Sequence, residues 1–252
     1  MSEKTAYVKK SMENGVGTIE FFTPNHNSMP SDILERLAEA IVDFGQNYDV
    51  KVIVLKSGGD RTFCAGANFQ ELISIEDEAQ GEHFFMGFAN VINAMRKCPK
   101  FIVGRVQGKA VGGGVGLASA VDYCLATKYA SIKLSELSLG IGPFTVGPAV
   151  ERKIGVGAFS EISINCTVFY DAAWAKAKGF YAEVFETTEE LDKAVHDLAQ
   201  NLSQYSPEAM TEMKKMYWRR AENWDALLHQ QAMITGRLVL SEFTKNKLKK
   251  YK

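Results

Sequence analysis

The sequence predicts an α/β fold that ends in a helical region, and three observations support this prediction. Short runs rich in β-branched residues alternate with longer stretches in which apolar residues recur at helical spacing. The order strand, helix, strand occurs twice in the first half of the chain, which is typical of a parallel sheet with crossover helices. Beyond Thr187 no strand pattern is clear, and three helices are predicted at about 188–204, 206–222 and 223–240.

The first strand, helix and strand are predicted within residues 16–55. Residues 16–22 are rich in β formers and predict a strand. A helix is predicted over 33–44 because its apolar residues fall on one face, and Ser31 is predicted to cap this helix. The apolar run 50–55 then predicts a strand that is buried on both faces.

The same order recurs in the next part of the chain. A long helix is predicted over 79–95, followed by a strand at 101–106. A glycine cluster then opens a helix that reaches about Ala120. Residues 123–126 and 132–134 predict two further short strands.

Composition and charge exclude several classes of protein. The 252 residues are 46% apolar and 23% charged, which is typical of a globular domain. The formal net charge of −1 gives no field that would attract nucleic acid or an anionic membrane, so neither partner is expected. No stretch approaches the about 20 apolar residues of a spanning helix, and the N-terminus has no apolar signal core, which predicts a cytoplasmic protein.

The cysteines and histidines indicate neither a metal site nor a disulfide framework. No two of the four cysteines form a CxxC pair. No two of the four histidines stand at the i, i+4 spacing of helical zinc ligands. We therefore expect no metal. The residues concerned are Cys64, Cys98, Cys124, Cys166, His26, His83, His196 and His229.

The first segment that could take part in binding or catalysis is Phe63-Cys64-Ala65-Gly66-Ala67-Asn68-Phe69, between a predicted buried strand and a predicted helix. Its small residues permit close approach of a ligand to the backbone. A ligand oxygen could therefore reach the amide of Ala67. A tight turn between a strand and a helix, without any binding role, is the alternative.

The second segment is the glycine-rich run 108–117, which follows the predicted strand 101–106 and enters a helix. Free N–H groups and the positive end of the helix dipole favour negative charge at such a helix start, as an enolate or oxyanion requires. The spacing matches neither a phosphate-binding loop nor G-x-G-x-x-G, so a nucleotide is not indicated. A G-x-S-x-G nucleophile motif is also missing, which argues against an α/β-hydrolase.

The third segment, 131–137, contains Glu136. The apolar residues near it are Leu134, Leu137, Leu139 and Ile141. Burial among them would raise the pKa of the carboxyl group, which suits a base that takes and returns a proton near neutral pH. An exposed or helix-capping glutamate is the alternative.

Together and in this order, the three segments resemble the crotonase superfamily, the enoyl-CoA hydratase/isomerase family of proteins. The resemblance implies a spiral of ββα units with a C-terminal helical region. It also implies that the amides of Ala67 and Gly113 form an oxyanion hole for the thioester carbonyl of an acyl-CoA substrate. Glu136 would then be the acid/base, and coenzyme A would enter as part of the substrate, with no separate cofactor.

Further implications of the resemblance concern coenzyme A and assembly. Ala65 and Phe69 would contact the adenine. Phe243 and Lys245 resemble the segment that family members lend to the CoA phosphates of a neighbouring subunit, with a solvated basic tail as the alternative. A spiral core over 1–195 and a trimerisation-type helical region over 196–252 are predicted, and with them a homotrimer or a dimer of trimers.

The chain also departs from the family pattern. Gly116 stands where hydratases carry their earlier glutamate, and Asn68 stands where aspartate is common. The segment 142–146 replaces a glycine-rich run, so that Phe144 is expected beside the acyl chain. A single glutamate favours isomerisation of a 3-enoyl-CoA to a 2-enoyl-CoA. The alternatives are a 2-enoyl-CoA hydratase, an acyl-CoA decarboxylase and a non-catalytic CoA-binding protein.

Overall fold

The structure is a computed structural model that describes residues 5–251. Its strands are β1 (Tyr7–Glu13), β2 (Val16–Phe22), β3 (Ser28–Met29), β4 (Val52–Ser57), β5 (Thr62–Cys64), β6 (Gly66–Ala67), β7 (Ile102–Val106), β8 (Lys109–Val111), β9 (Tyr123–Thr127), β10 (Ile132–Lys133) and β11 (Glu183–Phe185). Its helices are α1 (Ser31–Gln46), α2 (Phe69–Ser74), α3 (Glu78–Lys97), α4 (Gly113–Ala120), α5 (Glu136–Leu139), α6 (Gly147–Ile164), α7 (Ala172–Ala177), α8 (Thr188–Ser203), α9 (Pro207–Tyr217), α10 (Trp224–Val239) and α11 (Glu242–Leu248).

The main sheet has the strand order β1-β2-β4-β7-β9-β11. All its neighbours are parallel except the hairpin of β1 and β2. Asn14 and Gly15 form the turn of this hairpin, and both have positive φ, as a tight hairpin turn requires. Two small sheets, β10-β8-β5 and β3-β6, lie beside the main sheet. The predicted α/β class with a parallel sheet is confirmed.

The main sheet is covered on both faces, and β4 shows how its sequence determines this. Ile53 and Leu55 belong to the core shared with α1 and α3, whereas Val52 and Val54 pack with Leu191 of α8. Successive side chains of a strand point to opposite faces, so an unbroken apolar run buries both. The predicted buried strand is therefore present, two residues later than expected at each end.

The predicted cap of the first long helix is wrong. Pro30 occupies the position before α1, and Ser31 is the first helical residue. The N–H and the hydroxyl of Ser31 instead donate to Glu71 Oε2, at 3.0 and 2.8 Å. A carboxylate at a helix start interacts favourably with the helix dipole, so Glu71 supplies from α2 what a local cap would otherwise supply.

The C-terminal part of the chain packs onto the α/β core and is not separated from it. The three helices predicted there correspond to α8, α9 and α10. A Cβ atom added to Gly81 of α3 would lie 2.7 Å from Gly236 Cα of α10, so glycine lets these two helices approach closely. Lys214 of α9 forms a buried ion pair of 2.8 Å with Asp122.

The predicted division into 1–195 and 196–252 stays a prediction. Helix α8 runs across its boundary, and residues 1–4 and 252 lie outside the described residues. Several elements have no counterpart in the sequence prediction, among them the long helix α6 and the shorter β1, α7 and α11. Across residues 5–251, none of the helices combines the length and apolar character needed to cross a bilayer.

Candidate active site

The three segments selected from the sequence meet at one cavity. Ala65, Ala67 and Phe69 line it from the first segment, Gly113 from the second and Glu136 from the third. The elements concerned are β6, the start of α2, the start of α4 and the start of α5. Most of the remaining wall is apolar, and it includes Leu72, Phe85, Phe88, Leu139, Ile141 and Val146. Backbone amides and a carboxyl group thus share a space with mainly apolar walls.

The first and second segments are in direct backbone contact. Gly66 has a φ of 88°, and a Cβ atom there would lie 2.8 Å from the carbonyl oxygen of Val111. The same atom would lie 3.4 Å from the amide nitrogen of Gly113. Only glycine combines this positive φ with so close an approach. The peptide group that joins Gly66 to Ala67 is therefore held near the Gly113 amide.

The glycine cluster presents a free helix start to the cavity. Gly112 precedes α4 with a φ of 53°, and Gly113 is the first helical residue. The N–H of such a residue has no acceptor within its own helix, and the helix dipole favours negative charge beside it. A Cβ atom on Gly113 would lie 2.2 Å from Phe88 Cε1, so the packing of α3 excludes a side chain there.

Glu136 is the first residue of α5, and its carboxyl group faces the glycine cluster. Its Oε1 lies 3.1 Å from the position of a Cβ atom on Gly112. Its Oε2 is buried and has no hydrogen-bond partner among the described residues. Burial raises the pKa of Glu136 to about 7, although a hydrogen bond from its own backbone partly opposes this shift. Such a group can accept a proton and return it near neutral pH.

The apolar surroundings of Glu136 differ in part from those expected. Leu139 and Ile141 line the cavity and Leu134 is buried, but Leu137 is 51% exposed. The expectation for Leu137 is therefore wrong, because the short turn of α5 directs that side chain to the surface. Residues distant in sequence, such as Phe88 and Val146, complete the wall instead.

The raised pKa of Glu136 predicts the pH dependence of proton abstraction. The carboxylate form is the base, so kcat/KM for exchange of the α-protons of a saturated acyl-CoA should rise with pH and level off above about 7. Exchange in deuterated buffer between about pH 5 and 9 measures this profile. A rate that is already nearly level from pH 5 upward, as the ordinary glutamate value of 4.5 would give, would contradict the burial of the base.

Asn68 fills a structural position beside the cavity. Its side-chain oxygen accepts hydrogen bonds from the amides of Gln70 and Glu71, at 2.9 and 3.2 Å. It is thus the N-cap of α2, and asparagine serves there as well as aspartate. This departure from the family pattern leaves the first segment in place.

Gly116 packs against the segment that follows α5. A Cβ atom on Gly116 would lie 2.4 Å from Val146 Cγ1, so a longer side chain cannot enter without displacing Val146. Glu136 is the one carboxylate among the described residues that line the cavity. Phe144 lines a neighbouring groove with Arg152 and Trp224, and a Cβ atom on Gly142 of the cavity wall would lie 2.5 Å from its Cε2, so its place beside the acyl chain stays a prediction.

Phe243 and Lys245 do not line the cavity, and both are exposed. They belong to α11, which packs on α5: a Cβ atom on Gly140 would lie 2.5 Å from Phe243 Cδ1.

Sequence reasoning did not select Thr145 or Thr235, which also line the cavity. Thr145 lies in the segment 142–146 that departs from the family pattern, which was the one available signal, whereas Thr235 lies in no motif.

No metal centre is formed by residues 5–251, where no three His, Cys, Asp or Glu side chains cluster in a way that could hold an ion. The loops of the parallel sheet place two backbone turns and one buried carboxyl group around an apolar cavity. With the sequence matches given next, this arrangement defines an enzyme of the crotonase superfamily. The chain belongs to the enoyl-CoA hydratase/isomerase family, whose model matches residues 11–251.

Several named proteins are similar in sequence to this chain. The chain is 27% identical over 231 residues to the peroxisomal Delta(3,5)-Delta(2,4)-dienoyl-CoA isomerase of Arabidopsis thaliana, covering 85% of this chain and 81% of that protein. It is 30% identical over 188 residues to the mitochondrial methylglutaconyl-CoA hydratase of Mus musculus, covering 73% of this chain but 59% of that protein. The family thus includes both isomerases and hydratases at similar distance from this chain.

Solved structures confirm the fold. The crystal structure of enoyl-CoA hydratase from Bacillus halodurans matches with a TM-score of 0.89 at 21% identity, covering 97% of this chain and 99% of that chain. An enoyl-CoA hydratase from Mycobacterium avium matches with a TM-score of 0.85 at 21% identity, covering 97% and 95%. The predicted crotonase-like fold is therefore correct.

Proposed function

We propose that this enzyme stabilises the enolate of an acyl-CoA thioester and isomerises a 3-enoyl-CoA to a 2-enoyl-CoA. The amides of Ala67 and Gly113 donate hydrogen bonds to the thioester carbonyl oxygen. Glu136 removes a proton from the α-carbon and returns it to the γ-carbon. Coenzyme A is part of the substrate, and no separate cofactor takes part. The observation that carries the proposal is the buried carboxyl group of Glu136, whose Oε2 has no partner among the described residues, beside the helix start at Gly113.

The magnitudes of the two effects are adequate for this chemistry. A preorganised oxyanion-hole donor contributes about 3–4 kcal/mol to transition-state stabilisation. A positioned general base contributes about 10²–10⁴-fold in rate. Both effects increase where water is excluded, and the wall of this cavity is mainly apolar.

The absence of a second carboxylate is the reason to favour isomerisation. Hydration needs a group that positions and deprotonates water as well as one that supplies the α-proton. In this chain Gly116 stands where the water-positioning carboxylate would be, and Val146 fills the space beside it. Isomerisation needs one base that reaches two carbons, which Glu136 alone can provide.

Hydration of a 2-enoyl-CoA is the second candidate. Thr145 favours it, because this residue lines the same cavity and its hydroxyl group is buried without a partner among the described residues. An unpaired hydroxyl could hold a water molecule near Glu136. The hydratase names of several relatives are consistent with this alternative.

Two assays on the purified protein separate the candidates. We expect isomerisation of 3-hexenoyl-CoA, and α-proton exchange of a saturated acyl-CoA in deuterated water, to be faster than hydration of crotonyl-CoA. Rapid hydration with negligible exchange would reverse this order. Binding of acyl-CoA with none of these reactions would indicate a non-catalytic CoA-binding protein, and loss of carbon dioxide from a malonyl-type thioester would indicate a decarboxylase.

The coenzyme A contacts and the assembly extend the same proposal. Ala65 and Phe69 lie at the cavity wall, where the adenine could approach the first segment. Phe243 is 58% exposed on α11, so it and Lys245 could contact the coenzyme A of a neighbouring subunit in a trimer or a dimer of trimers. The cytoplasmic location stays a prediction, since named relatives include a peroxisomal and a mitochondrial protein.

A further inference from the structure

The cavity contains a second buried oxygen atom that the proposed reaction does not use. Thr145 is 5% exposed and lines the cavity, and its Oγ1 has no hydrogen-bond partner within residues 5–251. Glu136 Oε2 is likewise buried without a hydrogen-bond partner among these residues. Thr235, another threonine of the wall, differs because its hydroxyl donates to the carbonyl oxygen of Gln231 at 2.8 Å.

Unpaired buried oxygens of this kind are rare in the molecule, which makes their location informative. Among the described residues, four side-chain atoms are buried without a partner: Gln107 Oε1, Glu136 Oε2, Thr145 Oγ1 and Tyr181 OH. Two of the four belong to residues of this one cavity. Buried polar groups of folded proteins are normally paired, so an unpaired one calls for an explanation, such as a catalytic role or a bound molecule that supplies the partner.

We propose that Thr145 is a specificity-determining residue whose hydroxyl, together with the carboxyl group of Glu136, binds an oxygen atom inside the acyl cavity. The hydroxyl can donate or accept, so an alcohol, a carbonyl or a water oxygen would satisfy it. This inference rests on the proposed function, because it places an acyl group between Glu136 and the wall. It adds that the cavity is built for more than a plain hydrocarbon chain.

A hydrocarbon acyl chain would leave both oxygens unpaired after binding, with water excluded. Leaving a buried hydrogen-bonding group unpaired is more costly than the hydrogen bond itself is stabilising. An oxygen in the right place should therefore improve binding by about 5- to 10-fold. That oxygen can come from a substituent of the acyl group or from a bound water molecule, and the two sources give different experimental results.

The first arm of the test measures binding without turnover. Calorimetry would give the dissociation constants of butyryl-CoA, 3-hydroxybutyryl-CoA and 4-hydroxybutyryl-CoA for the wild type, Thr145→Val and Thr145→Ser. If the acyl group supplies the oxygen, one hydroxyacyl-CoA binds the wild type about 5- to 10-fold more tightly than butyryl-CoA. Thr145→Val, which keeps the volume, abolishes this preference, and Thr145→Ser, which keeps the hydroxyl, retains it.

The second arm detects a water molecule. If water supplies the oxygen, the wild type shows no preference for a hydroxyacyl-CoA. Thr145→Val then lowers the ratio of crotonyl-CoA hydration to α-proton exchange by about tenfold, and Thr145→Ser restores the ratio. A merely structural role would change both rates together and leave the ratio unaltered.

Two outcomes would overturn the inference. The first is a wild type that shows no binding preference and no measurable hydration. The same conclusion follows if it shows no preference and Thr145→Val leaves the ratio of hydration to α-proton exchange unchanged. The other is a wild-type preference that Thr145→Val retains while its Tm shows that it is folded. We expect a Tm at or above that of the wild type, because the removed hydroxyl has no partner to lose. The comparison of 4-hydroxybutyryl-CoA with butyryl-CoA stays readable even if the isomerase proposal fails, since neither ligand has a 3-hydroxyl group that a hydratase could eliminate.

Discussion

Replacing Glu136 with glutamine is expected to lower the rates of isomerisation and α-proton exchange by about 10³-fold or more, while acyl-CoA binding changes little. Glutamine keeps the size of the side chain and its place against Gly112 but cannot shuttle a proton. The two amide-bearing segments remain, so the thioester should still bind. Steady-state kinetics and calorimetry with one acyl-CoA would measure both quantities.

Glu151→Gln is the matched control for this substitution. Glu151 is exposed and lies on the neighbouring groove, away from the cavity. The same change of chemistry there should leave the exchange rate within about twofold of the wild type. Equal losses in the two variants, or unchanged exchange in Glu136→Gln, would remove Glu136 from the mechanism.

The same variant predicts a pH-dependent change of stability. The pKa of Glu136 is about 7 in the folded protein against 4.5 as the ordinary value. Between these two values the folded state binds more protons than the unfolded state, so the wild type loses stability as the pH rises. The loss approaches about 3 kcal/mol above pH 7. Relative to the wild type, Glu136→Gln should therefore gain about that much between pH 4.5 and pH 8, as denaturant unfolding would show.

Replacing Gly66 with alanine is expected to lower turnover by about 10²-fold and to destabilise the fold. Alanine at a φ of 88° is strained, and its Cβ atom would lie 2.8 Å from the carbonyl oxygen of Val111. The backbone must then separate from the glycine cluster, which moves the Ala67 amide away from the Gly113 amide. Exchange kinetics and denaturant unfolding would report the two losses.

Gly59 provides a control with nearly the same φ. Its φ is 82°, but a Cβ atom there would meet only Phe22 Cε2, at 4.0 Å. Gly59→Ala should therefore show the conformational penalty of about 1–2 kcal/mol with little loss of turnover. If Gly66→Ala behaved in the same way, the close contact between the two segments would have no role in catalysis.

Several features of the protein could be predicted from the sequence because they depend on local patterns. The apolar run before Ser57-Gly58-Gly59 predicted a strand buried on both faces, and β4 is such a strand. The glycine cluster predicted a helix start, and α4 begins there. The order of the three segments indicated the family, and the family model confirms it. Very short strands such as β3 and β6 escaped prediction because two residues cannot show a period.

Contacts between residues far apart in the chain were decided only by the tertiary structure. Val146 fills the space beside Gly116, and Phe88 covers Gly113. The sequence alone allowed Glu136 to be buried or exposed, and Leu137 was expected among its apolar neighbours but is exposed. Periodicity reports which face of an element is apolar, but not which distant side chain packs on it, because that depends on how crossover connections bring the elements together.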